Sequence, residues 1–193
     1  MPFFYYEKSD CFHYKLLDLF PLNSVVFPHQ KLSLRIFEPR YLKLIEACHN
    51  EARSFGVCLI REGKEVGAPA ILFEIGPSVV IREFVKVSDN MFNIVVQGER
   101  RFRIKHIIHE QPHIMLEIEW LDGEVPDYPG DYTILRNIIL DYVEDKSEIP
   151  EDNNKLFGML GELIAAFPGE KQKILGLPAD EIVPALTRLL ESI

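Results

Sequence analysis

Cysteine is scarce: Cys11, Cys48 and Cys58 are the three in 193 residues, an odd number with no CxxC pair. That excludes a disulfide-stapled scaffold and fits a reducing compartment, so a cytoplasmic protein is expected. Long apolar runs are missing too. No stretch approaches the ~20 consecutive apolar residues of a membrane-spanning helix, and Met1–Asp10 has no cationic segment followed by an apolar one, so no secretory signal is legible. Glycine (11) and proline (13) occur at ordinary levels beside 47% hydrophobic residues, which excludes collagen-like and disordered chains. Positive charge is in deficit, 21 Lys and Arg against 30 Asp and Glu for a net charge of -9. A general nucleic-acid binder needs the opposite balance to displace phosphate counterions.

Catalytic motifs are equally sparse. The one Gly-Lys pair, Gly63-Lys64, precedes Glu65 and offers no hydroxyl for magnesium, so nothing supports nucleotide use. A Gly-x-Ser-x-Gly elbow is absent. Cys48 and His49 are adjacent on a helix and point about 100° apart, so they cannot form a nucleophile–base pair. His106, His109 and His113 cluster in sequence, but positions 106 and 109 face opposite sides of a strand. They read as edge imidazoles near a hairpin, not as metal ligands. No catalytic residue, metal or cofactor is expected.

What is present falls into two parts. From Met1 to Val125 there are 15 basic and 17 acidic residues; from Pro126 to Ile193 there are 6 and 13. The turn-rich stretch Asp122–Gly130 lies at this shift, and periodicity changes with it. Before it, period two dominates. Ile114, Leu116, Ile118 and Trp120 alternate with polar neighbours, and similar runs lie near Lys15–Phe20, Leu32–Phe37, Phe55–Ile60, Ala70–Ile75, Val79–Val87, Met91–Val96 and Arg101–Lys105. Ser88-Asp89-Asn90 reads as a turn, and Gly98 as the positive-φ residue of a second hairpin. Arg100, Arg101, Arg103 and Lys105 read as a solvated strand face, with Phe102 and Ile104 on the core side. One helix interrupts the strands: Pro39 suits its first position, and Tyr41, Leu44, Ile45 and Cys48 form its buried stripe.

After the connector, apolar stripes at helical spacing follow: Leu135, Ile138, Ile139 and Tyr142; Leu156, Leu160, Leu163, Ile164 and Phe167; Ile182, Val183, Leu186, Leu189 and Leu190. A short helix near Glu170–Leu175 sits between breakers, and Pro184 predicts a later start or slight bend in the last helix. The expected architecture is α+β: a domain over 1–125 built on a mostly antiparallel β barrel with one inserted helix, and a helical subdomain over 126–193.

Several segments resemble the Lon protease N-terminal, or LON substrate-binding, domain. They are Leu19-Phe20-Pro21-Leu22, Val25-Val26-Phe27-Pro28, the specific run Ile36-Phe37-Glu38-Pro39-Arg40-Tyr41, Phe55–Ile60 and Gln97–Ile104. Glu170-Lys171-Gln172 in the tail is similar in type. Asp18 stands where the family often has proline, and Glu99 where a third arginine is common. The resemblance implies a PUA-like barrel followed by a helical subdomain, without the ATPase and Ser–Lys peptidase modules of Lon. It further implies a non-catalytic module that binds exposed polypeptide segments or serves as an adaptor.

A groove between barrel and bundle is the expected place for such binding. Phe27, Pro28, His29, Phe37 and Tyr41 are candidate polypeptide contacts, although Phe37 and Tyr41 also fit a core. Arg35 and Arg40, near Glu38 at a strand-to-helix junction, are candidate anion contacts. Two other readings stay open: a small-ligand enzyme or binder with a pocket at the barrel mouth, and RNA binding through the PUA-like barrel. The aromatic segment Pro2–Tyr6 is expected to pack on its own domain or on a partner, which allows a homo-oligomer.

Overall fold

The computed structural model describes residues 15–63, 70–141, 143 and 145–192. The aromatic segment before Lys15, Cys11, Lys64 and Tyr142 therefore lie outside the described residues. The strands are β1 (Lys15–Leu22), β2 (Lys31–Ile36), β3 (Phe55–Glu62), β4 (Ile71–Leu72), β5 (Ile75–Ser88), β6 (Met91–His109) and β7 (Ile114–Trp120). The helices are α1 (Pro39–Asn50), α2 (Tyr132–Leu140), α3 (Asn153–Leu163), α4 (Pro168–Leu175) and α5 (Ala179–Leu190), with a single 3-10 turn at Lys146–Glu148. Glu38 precedes α1 with Pro39 at its first position, and Tyr41, Leu42, Leu44, Ile45 and Cys48 form its buried face.

The expected barrel is corrected. The strands form one seven-stranded mixed sheet in the order β1-β7-β6-β5-β3-β4, with β2 branching from β6. The pairing is mostly antiparallel, as expected, with one exception: β1 runs parallel to β3, from Leu19↔Gly56 to Leu22↔Leu59. The reason is topological. Alternation in sequence reports which face of a strand is buried, not which strand lies beside it. The connection through β2 and α1 is long enough to bring β3 back parallel to β1.

The second hairpin is also absent. Met91–Val96 and Arg101–Lys105 belong to the single 19-residue β6, which passes straight through Gly98. Gly98 pairs with Val79 across the sheet. Its glycine serves close approach instead: a Cβ there would stand 2.2 Å from the Phe27 carbonyl oxygen. The Ser88–Asn90 turn is found as expected, between β5 and β6. In the tail, α5 starts at Ala179 and keeps Pro184 inside it, so the later start is not seen. The carbonyl of Asp180, deprived of its partner by Pro184, belongs to an exposed residue that water can serve.

Apolar side chains gather in three clusters. One lies between α1 and the sheet around Tyr41, Ile45, Phe55, Val79 and Ile94. A smaller one joins β1, β6 and β7 through Leu19, Phe102, Leu116 and Ile118. The third holds α2 to α5 together and takes Val25 and Phe27 from the loop after β1. That loop divides its side chains: Val26 enters the cluster under α1, while its neighbours Val25 and Phe27 enter the helical one.

Candidate functional site

Three places combine the residues that could meet a partner: the loop Val25–Gln30, the cleft at the β2–α1 junction, and the seam between sheet and helices.

The loop is locked. Phe27 is 1% exposed. Its ring stacks on Phe157 at 5.3 Å and lies 5.0 Å from the Lys171 ammonium. Pro28 is buried and His29 half-buried. His29 adopts φ 65, unusual for a residue with a side chain. It is held there by donating its N–H to the Gly98 carbonyl at 2.8 Å and accepting from Gln97 Nε2 at 3.2 Å. Burial pushes the His29 imidazole below its ordinary pKa, against opposing hydrogen bonding by Pro126 and the charge of Asp152. Beneath the loop, Lys171 Nζ donates to the Val25 carbonyl (2.7 Å), the Gly161 carbonyl (2.7 Å) and Gln30 Oε1 (3.0 Å). Three donors thus meet three acceptors. Burial still pushes this amine down to about 8, with Glu162 pulling the other way.

The connector after β7 is pinned in a similar way. Arg101, 2% exposed, places Nε and Nη2 on both oxygens of Asp122 and donates through Nη1 to the carbonyls of Leu175 (2.8 Å) and Leu177 (2.6 Å). Tyr128, stacked on Phe157, donates its hydroxyl to Asp122 at 2.8 Å. Burial opposes ionisation of Asp122, but the hydrogen bonds from Arg101 outweigh it and hold the carboxyl below its ordinary value. Arg101 is therefore not part of a solvated strand face. β6 is covered on both sides, by the sheet core at Phe102 and by the helices at Arg101. Its neighbours are engaged as well, Arg100 over the Trp120 ring at 3.8 Å and Lys105 on Glu119 at 2.6 Å.

At the β2–α1 junction a cleft of about 200 Å³ is lined by β1 residues Phe20–Leu22 and by the run from Ser33 to Glu38, with Tyr41. Four residues singled out from the sequence meet here or beside it. Tyr41 is 1% exposed and packs on Phe20 at 4.5 Å. Phe37 is 53% exposed. Arg40 pairs with Glu38 at 3.0 Å and lies over the Tyr41 ring. Arg35 directs Nε and Nη2 to the Met91 sulfur at 3.1 and 3.0 Å. Phe27, Pro28 and His29 do not line this cleft.

The seam groove is larger, about 680 Å³, between β4 and α4. Ile71, Leu72, Phe73, Ile75 and Leu177 give it an apolar wall, with Arg61, Glu74 and Lys173 among the polar lining. Gln172, 7% exposed, also lines it; its Nε2 donates to the Ile75 carbonyl at 2.9 Å, and its buried Oε1 has no partner among the described residues.

From the sequence, Arg101 reads only as a solvated cation and Asp122 and Tyr128 only as connector residues, and Lys171 and Gln172 carry no site role. One signal existed: Lys171 shares the spacing of Ile174 and Leu175, the apolar side of α4. The histidines are engaged separately, His106 with Glu117 at 2.7 Å and His113 with Asp18 at 2.8 Å. Asp18, the departure from the family pattern, is 5% exposed and also takes Arg53. Cys48 and Cys58 are buried, which pushes both thiols up, Cys48 to about 11. Among the described residues no group of three or more His, Cys, Asp and Glu is placed to hold a metal. No helix there is long and apolar enough to cross a membrane.

Comparison with known proteins fits this picture. The family model for the ATP-dependent protease La (LON) substrate-binding domain matches residues 17–183. The fold is similar to the Lon N-terminal domain protein from Xanthomonas campestris, with a TM-score of 0.67 and 27% identity over 92% of this chain and 98% of that one. It is also similar to the N terminal domain of Mycobacterium avium complex Lon protease, with a TM-score of 0.63 and 16% identity over 92% and 97%. Lon protease of Anaeromyxobacter dehalogenans is 27% identical over 176 residues, 83% of this chain and 21% of that protease. Across such full-length relatives the chain spans 15% to 24% of their length. The matched residues correspond to the substrate-binding domain of these proteases. The chain belongs to the family of ATP-dependent protease La (LON) substrate-binding domains.

Proposed function

We propose that the protein captures exposed apolar segments of other polypeptides, as an adaptor or recognition module, in the cytoplasm. The observation that carries this reading is the apolar groove of about 680 Å³ at the seam of β4 and α4, with a buried Gln172 oxygen in its wall that has no partner among the described residues. Such a groove suits an extended chain: apolar side chains leave water, and edge-strand backbone groups offer hydrogen bonds. Phe37, Arg35 and Arg40 contribute a second contact area at the β2–α1 cleft. Phe27, Pro28, His29 and Tyr41 act from beneath, by fixing the loop and helix that carry the surface. Segments 1–125 and 126–193 work as one unit, because the groove exists only where they meet.

The alternatives have less support. With the barrel corrected there is no barrel mouth, and the junction cleft of about 200 Å³ presents no assembled catalytic group. Three of the four cations of the β6 run, Arg101, Arg100 and Lys105, are engaged by Asp122, Trp120 and Glu119, which leaves little for an RNA backbone. Ile71, 47% exposed, is the position at which to test the groove without disturbing the core. Ile71→Asp is expected to weaken binding of a labelled unfolded polypeptide by about tenfold, the effect of ~1.4 kcal/mol. An unchanged affinity would remove the groove from the account.

A further inference from the structure

β2 is hydrogen-bonded to β6 alone among the described strands, from Lys31↔Gln97 to Ile36↔Phe92. Among the described residues its other edge therefore presents the unpaired N–H and C=O groups of an open strand. The end of β1 is similar. Leu19–Leu22 pair with β3 on one side, whereas β7 reaches only Lys15–Leu19 on the other. Residues from both of these strand lengths line the cleft of about 200 Å³. On the outer face of the sheet, Ser33 and Arg35 also border a groove of about 360 Å³ with Asn93, Val95, Glu83 and Val85.

Arg35 belongs to both. Arg40, Arg53 and Arg101 each hold a carboxylate, on Glu38, Asp18 and Asp122. Arg35 makes no ion pair among the described residues and spends two donors on the Met91 sulfur, a weak acceptor that a carboxylate would displace. Apolar surface flanks it, Phe37 at 53% exposure beyond the end of β2 and Val85 at 56% across the outer groove. Glu38 is neutralised by Arg40. Glu83 stands two strands away on the outer face, opposite Val95 and not beside Arg35, so it repels acid from β5 while Lys31 and Arg35 attract it to β2.

We propose that the open edge of β2 is a docking site for an extended segment of another polypeptide that carries an aspartate or glutamate between apolar residues. The segment adds as a strand to β2 and sets its carboxylate on Arg35. Backbone hydrogen bonds supply affinity, and alternate side chains reach the cleft and the outer groove. The proposal rests on the polypeptide-binding reading but names a surface separate from the seam groove.

The test uses short C-terminally amidated, fluorescent peptides of alternating valine and threonine, with a central aspartate in one and a central lysine in the other. Anisotropy with the wild-type protein is expected to show at least about tenfold tighter binding of the aspartate peptide. Arg35→Glu is expected to abolish or invert that preference, and Arg35→Ala to remove it. N-methylation at alternate backbone nitrogens of the peptide is expected to weaken binding, since it deletes the strand hydrogen bonds. Equal affinity for the two peptides, or a preference that survives Arg35→Glu, overturns the β2 site. If a labelled unfolded polypeptide still binds in that case, the seam groove stands alone. If neither the peptides nor the unfolded polypeptide bind, both readings fall. Binding seen only with a free C-terminus also overturns the site as stated.

Discussion

Lys171 and Arg101 each join chain segments far apart in sequence, and both do so with backbone carbonyls as partners. A buried charge can often be replaced by an apolar side chain at little cost, because the pair's attraction barely repays its dehydration. Lys171 differs in what it would leave behind. Lys171→Met strands the carbonyls of Val25 and Gly161 without their donor. The expected loss is about 2–4 kcal/mol, seen as a lower midpoint in urea or heat. A midpoint equal to wild type would mean that water replaces the ammonium. Asp122 gives a pH-dependent counterpart. Its folded pKa lies below its ordinary value, so its stabilisation is complete above about pH 3.9 and is lost as pH falls through the folded value. Asp122→Asn should cost about 3–5 kcal/mol at neutral pH by leaving Arg101 unpaired. In acid the gap between wild type and variant should close; a gap constant from pH 7 to pH 2 would contradict the assignment. Neither residue announces itself in the sequence. A lysine on an apolar helical stripe and an arginine in a basic run look like solvent-facing cations until both faces of their elements prove to be covered.

β6 shows what an element can conceal. Its two halves each alternate, and the glycine between them has the composition of a turn, yet the strand runs on because the Phe27–Pro28 backbone crosses directly over Gly98. Gly98→Ala should therefore destabilise by about 1–3 kcal/mol through displacement of that backbone. Were Gly98 a hairpin residue with positive φ, alanine would be penalised for its φ instead. A circular dichroism melt of Gly98→Ala, compared with Gly123→Ala where a Cβ meets nothing within 4 Å, measures this. Equal melting of the two variants would contradict the close approach. Helices were easier to read than strand partners. The 3.6-residue stripes of α1, α3 and α5 are local properties, and Pro39 and the turn at Ser88–Asn90 act within a few residues. Pairing of β1 with β3, or the branch of β2 from β6, depends on residues tens of positions apart, and no local pattern encodes it.

At the scale of the whole molecule, sheet and helices share a buried junction. The Asp122–Gly130 stretch reads as a linker from its turn formers, but the Asp122 side chain and Tyr128 are buried in the junction. A fragment ending at Val125 would expose Val25 and Phe27 and leave Arg101 without the carbonyls of Leu175 and Leu177. It is expected not to fold alone, with a collapsed proton NMR dispersion; a dispersed, cooperative fragment would show two independent units. The family was legible from the Ile36–Tyr41 run, whereas the seam groove was legible only as an expectation, because its walls come from β4 and α4, a hundred residues apart in the chain. The central claim is that this seam captures polypeptide. Its most direct measurement is a titration of a labelled unfolded polypeptide with the wild-type protein and with Ile71→Asp. Saturable binding in the micromolar range that Ile71→Asp weakens is the predicted result, and no binding at tens of micromolar would contradict the account.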